Sequence, residues 1–333
     1  NQPTITEFTK VDLTGGQEIE GAKMQILDQD GKVVEEWVSK KEPHVVYALE
    51  PGEYVLHEEQ APTEQGYVRA EDVKFVVEET GDIQKVKMED DHTKVSISKT
   101  DITDGKEIEG AKLQILDQDG EVVESWTTGE EHLIEYLPIG TYTLHEEAAV
   151  DGYIVANDVE FTVEETGEIQ KVKMEDERAM GQLVIVKTDT DSKAALEGVE
   201  FVLLEKETGK EVGRLKTGKD GKAVSELLPI GTYENGVFKE PITYVLKETA
   251  TLKGYEKTEE EWEIVFTYQN DKTPVIEVVK EIQNKKIPET PGTVKPGPKT
   301  GDDTNWFLPL LALGVSAGMV AGLLYYRKRH KKA

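Results

Sequence analysis

The chain contains no cysteine, so no disulfide can brace it and its stability must come from other bonds. Positive charge is scarce as well. Against 67 Asp and Glu stand only 39 Lys and Arg, a net charge of −28 that repels nucleic acid and argues against a nucleic-acid partner. No nucleophile–His pair, glycine-rich phosphate loop or zinc spacing occurs, so no enzymatic turnover, metal or cofactor is expected. Before the C-terminal region there is no long segment of helical period. The sequence opens at Asn1 without Met or a charged-then-apolar leader, and the expectation is a removed signal peptide or a fragment.

What the chain has is repetition. Its 333 residues are too many for one core. The run EIEGAKMQILDQDGKVVEEW (Glu18 to Trp37) returns as EIEGAKLQILDQDGEVVESW (Glu107 to Trp126), with three differences in twenty. VEETGDIQKVKMED returns from Val163 as VEETGEIQKVKMED. A diverged third copy opens with LVIVKTD at Leu183 and carries LLPIGTY, with an insertion around Tyr233 to Pro241. The modules are read as residues 1–92, 93–178 and 179–286.

Each copy reads as β. Short alternating runs such as Ala22–Leu27 and Tyr54–His57 lie between turn signals at Asp30-Gly31, Pro51-Gly52 and Thr80-Gly81. The fold class is therefore all-β: three small sandwiches in tandem, expected to be antiparallel.

The C-terminal region is different in kind. Trp306 to Tyr326 is an uncharged stretch of 21 residues, about 30 Å as a helix, which is the depth of a bilayer's apolar core. A basic run, Arg327 to Lys332, follows it and belongs on the cytoplasmic side. The expectation is a single transmembrane helix over 306–326 and a cytoplasmic tail over 327–333, preceded by a Pro/Gly-rich spacer over 287–305. Within the spacer stands Gly297-Pro298-Lys299-Thr300-Gly301. This motif, span and basic tail together resemble the sortase sorting signal of Gram-positive surface proteins, although Gly297 stands where that motif has Leu. The resemblance implies cleavage between Thr300 and Gly301 and transfer of Thr300 to a peptidoglycan precursor. Sortase and that precursor are then the partners, the membrane holds the chain until sorting, and the location is extracellular, anchored to the cell wall.

Alternation also assigns faces. Lys10, Lys99 and Lys187 fall on the inward side of the opening strands. Glu58, Glu146 and Glu248 fall there in the middle strands, and Asp90, Asp176 and Asn284 in the closing strands. Strand ends emerging into water, or a buried ion network, would account for one such trio. Buried together, an amine that loses its proton and an acid that gains one can also condense to an amide.

At these residues the modules resemble the SpaA-like, or collagen-adhesin B-type, repeats. The resemblance rests on KTD in the opening strand, Gly-x-Tyr-x-Leu-x-Glu (Gly52 to Glu58, Gly140 to Glu146) and the later Gly-Tyr pairs at Gly66, Gly152 and Gly254. It implies prealbumin-like sandwiches and autocatalytic isopeptide bonds formed by the trios Lys10, Glu58, Asp90; Lys99, Glu146, Asp176; and Lys187, Glu248, Asn284. The function expected is a rigid stalk that presents another region. Adhesion of the repeats to host extracellular matrix, or a basal pilin role, is the alternative. No pilin-type Tyr-Pro-Lys motif is present, which argues against a shaft pilin.

Two weaker signals read as structure. Asp28–Gly31 and Asp117–Gly120 begin like a calcium loop but lack its later Glu, and hairpin turns explain them. His57 and His145 alternate away from the Glu face, toward solvent.

Overall fold

In each repeat β-branched and aromatic residues alternate with charged ones. The computed structural model, which describes residues 3–288, shows that alternation as two facing sheets per module. Module one has strands β1 (Ile5–Asp12), β2 (Lys23–Leu27), β3 (Val33–Val38), β4 (His44–Tyr47), β5 (Gly52–Gln60), β6 (Tyr67–Val68), β7 (Val73–Val77) and β8 (Ile83–His92). One sheet has the order β4-β1-β8-β6, the other β3-β2-β5-β7. Phe8, Met24, Ile26, Leu56, Val86 and Met88 fill the space between them. Module two repeats both sheet orders.

One pairing departs from the expected antiparallel sandwich. β1 and β8 run parallel, from Ile5 opposite Ile83 to Asp12 opposite Asp90. Lys94–Asp101 pairs with Ile169–Arg178 in the same way, as does Met180–Asp189 with Val275–Asn284. A parallel pair needs a long crossover, and here the crossover is the rest of the module. Alternation is the same in both kinds of ladder, so it cannot report this.

The parallel pair sends the chain in at one pole of a module and out at the other. Each exit is fixed alike: Thr93 N–H donates to Gly66 O (2.8 Å), Ala179 N–H to Gly152 O (2.8 Å) and Ile287 N–H to Gly254 O (2.9 Å). The insertion in module three is a hairpin, Gly231–Glu234 with Val237–Pro241, that reaches back to module two. Its Tyr233 hydroxyl donates to Gly152 O (2.8 Å), and the Arg178 guanidinium lies 4.1 Å from the Tyr233 ring centre. Gly152 has φ +88°, and a Cβ there would come within 2.7 Å of Phe238, so the contact requires glycine.

The spacer beyond Pro288, the motif Gly297–Gly301, the apolar span and the basic tail lie outside the described residues. Among the described residues no helix is long and apolar enough to cross a membrane.

Candidate functional site

Lys10 of β1 is the register partner of Met88 in β8, which puts Asp90 two residues further along the same face. Glu58 enters from β5 in the opposite sheet. The three side chains meet between the sheets, with Lys10 4% exposed and both carboxyls fully buried. Lys10 Nζ lies 2.9 Å from Glu58 Oε2 and donates to Asp90 Oδ1. Ala70 N–H also donates to Glu58 Oε2, at 2.8 Å.

The remaining oxygens, Glu58 Oε1 and Asp90 Oδ2, are buried and receive no N–H. Burial pushes the Asp90 carboxyl up to about 7, the Lys10 ammonium opposes that shift, and the Glu58 charge adds to it. The Asp90 carboxyl is therefore poised near neutrality.

Module two reproduces the arrangement. Lys99 Nζ is 2.9 Å from Glu146 Oε2 and donates to Asp176 Oδ1, and Ala156 N–H caps Glu146 at 2.6 Å. Burial raises Asp176 to about 7, again against the pull of Lys99 and with the push of Glu146.

Module three differs. Lys187 Nζ lies 2.9 Å from Glu248 Oε2 and donates to Asn284 Oδ1 at 2.5 Å. Asn284 Nδ2 donates to Glu248 Oε1 at 2.6 Å and to Thr251 Oγ1 at 2.7 Å. Burial lowers the Lys187 amine, and hydrogen bonding and charge from Glu248 only partly offset it.

Each trio thus brings together its sequence-predicted members, and none sits at a strand end open to water. A buried amine held against a carboxyl or carboxamide, beside a second acid, can form an amide without help from another molecule.

Several supporting contacts escape a sequence reading. β4 stops pairing at Phe8 opposite His44, which leaves the Lys10 N–H beyond its reach. Glu18 Oε2 accepts that N–H at 3.0 Å, and Glu107 Oε2 accepts the Lys99 N–H at 3.1 Å. In module three the carbonyl of Gly221 does the same for Lys187, at 2.8 Å. The Gly-Tyr tyrosine has a partner too: Tyr153 donates its hydroxyl to Asp101 Oδ2 at 2.8 Å, and Arg178 Nε reaches the same oxygen at 2.6 Å. Asp12 accepts from Tyr136 of module two at 2.8 Å. Burial would raise Asp12, but hydrogen bonds from Thr14, Gly15 and Tyr136 hold it well below the usual carboxylate range.

Residues near the trios have other duties. Asp91, next to the acceptor, faces Lys94 Nζ at 2.6 Å. His57 Nδ1 lies 2.6 Å from Asp72 Oδ1 in a partly exposed pair, and His145 pairs with Asp158 at 2.7 Å. Asp28 Oδ1 accepts N–H groups from Asp30 and Lys32 and so caps its own turn. Among the described residues no cluster of three His, Asp or Glu is arranged to hold a metal.

The SpaA family, a prealbumin-like fold domain, matches residues 4–92, 93–178 and 181–241. The chain belongs to this family. Its third SpaA match ends with the inserted hairpin at Pro241. Among solved structures, the SpaA modules resemble the TIE protein of Bacillus anthracis at 27% identity and TM-score 0.56, covering 86% of this chain and 52% of that one. The chain thus spans about half the length of the TIE protein. BcpA, the major pilin subunit of Bacillus cereus, matches at 16% identity and TM-score 0.48, over 86% of this chain and 100% of that one. No curated protein matches.

Proposed function

We propose that this SpaA-family chain is the load-bearing stalk of a wall-anchored surface protein, each module closing on itself by one isopeptide bond. The carrying observation is the buried contact of an amine with an acid or amide between the first and last strands, made three times.

In modules one and two the lysine amine attacks the Asp carboxyl carbon. The neighbouring Glu takes a proton from the amine and returns one to the departing oxygen, and water leaves. In module three the same attack on Asn284 expels ammonia. Glu58, Glu146 and Glu248 are in contact with the reacting groups and fill this role. Closure happens once per module and is not turnover.

The parallel pairing gives the bond its mechanical meaning. Tension entering the start of β1 would cross at Lys10–Asp90 and leave along the end of β8, so the residues between carry none of it. The same closure shortens the unfolded chain's free loop. By analogy with a disulfide over about eighty residues, that is worth about 4–5 kcal/mol. It supplies what cysteine supplies elsewhere.

Wall attachment through Thr300 and an extracellular location complete this reading and rest on the sorting-type motif. Tandem mass spectrometry of a protease digest tests the closure: branched peptides should join Lys10 to Asp90, Lys99 to Asp176 and Lys187 to Asn284. Linear peptides alone would overturn it. Incubation with sortase tests the anchor, and a product ending at Thr300 is expected.

A further inference from the structure

Three positions after each site glutamate comes the first residue beyond its strand: Ala61 after Gly52–Gln60, Ala149 after Gly140–Ala148, and Thr251 after Thr243–Ala250. These residues differ as the acceptors differ. A carboxamide has two N–H bonds to place, whereas a protonated carboxyl has a single O–H. In module three Asn284 Nδ2 spends one N–H on Glu248 and the other on Thr251 Oγ1. In modules one and two the acceptor is a carboxyl with at most one hydrogen to place, and the residue after the strand is an alanine whose side chain offers no acceptor.

We propose that Thr251 is the residue that fits module three to an asparagine acceptor. The inference rests on the reading of the trios as bond-forming sites. With both N–H groups engaged, the amide keeps Oδ1 toward Lys187 and its nitrogen away, where donor would otherwise face donor. In the step, the neutral Lys187 amine attacks Asn284 Cγ and the Cγ–Nδ2 bond breaks. Glu248 carries the proton lost by the amine to Nδ2, which departs as ammonia. Thr251 accepts from the departing nitrogen throughout. Without the hydroxyl, one N–H of a buried amide has no partner, and the amide turns or draws in water to find one.

The test follows closure in the full chain after cell-free synthesis, using peptide-resolved mass spectrometry over time. Thr251→Ala should slow ammonia loss in module three about tenfold or more, and Thr251→Ser should restore most of the rate. Modules one and two should lose their waters on the wild-type schedule, which reports that the chain folds. With Asn284→Asp the acceptor has no second hydrogen to place, so adding Thr251→Ala to that variant should leave its rate of water loss unchanged. Closure of Thr251→Ala at the wild-type rate would overturn the proposal, as would failure of Thr251→Ser to recover. Wild-type chain that keeps its module-three ammonia would instead bring down the bond-forming reading, and this inference with it.

Discussion

Modules one and two hold an aspartic acid against lysine, and module three holds an asparagine. The frame around them is the same: a parallel pair of first and last strands, with a glutamate entering from the other sheet. The difference is in the proton count. The Asp trios have two acids beside one lysine, and burial lifts the acceptor to about 7. The Asn trio has one acid, an acceptor that does not titrate, and a lysine whose ammonium form is disfavoured by burial. On the proposed reading, one scaffold supports two condensations that answer differently to pH.

The strongest way to break this comparison is to remove a glutamate. Glu58→Ala should abolish closure of module one alone, and intact mass should then show the loss of one water and one ammonia instead of two waters and one ammonia. Loss of closure in all three modules would mean that the trios do not act separately.

Next in size is the mechanical effect. Lys10→Met leaves module one unclosed, and force spectroscopy should show one added unfolding event of about 270 Å, the contour of the residues between positions 10 and 90. Wild-type chain that releases the same length would contradict the load path.

pH should separate the modules more gently. Closure of modules one and two should slow as pH rises through about 7, when Asp90 and Asp176 lose their protons. Module three should hold its rate or gain, and a common pH profile would remove the distinction. The same shift acts on stability before closure. The folded Asp90 carboxyl binds its proton more tightly than the unfolded one, so its contribution is full below about pH 4 and is lost as pH rises through about 7. Lys10→Met retains the acid pair, and the melting temperature of its module one should be several degrees higher at pH 5 than at pH 8.

The smallest effect concerns a contact in module two. Tyr153→Phe removes one donor to Asp101 but leaves Arg178, and should cost about 1 kcal/mol in denaturant unfolding without altering closure.

The sequence carried the faces clearly and the partners poorly. Period-two alternation placed Lys10, Glu58 and Asp90 inward, and the structure buries all three, because strand geometry leaves a side chain only two directions. The all-β modules and their repetition were legible for the same reason. Parallel pairing was not, since register between distant strands depends on the whole module. Glu18, Tyr153 and Thr251 were visible as letters, but their partners are set by loops that meet only in the fold. Thr251 had one signal available: it replaces alanine where the acceptor changes from Asp to Asn.

The central claim is that all three trios condense. Intact mass of the folded chain, measured against the sequence mass, tests it directly. The account predicts a deficit of two waters and one ammonia. The full sequence mass would contradict it and leave three buried ion networks in place of three bonds.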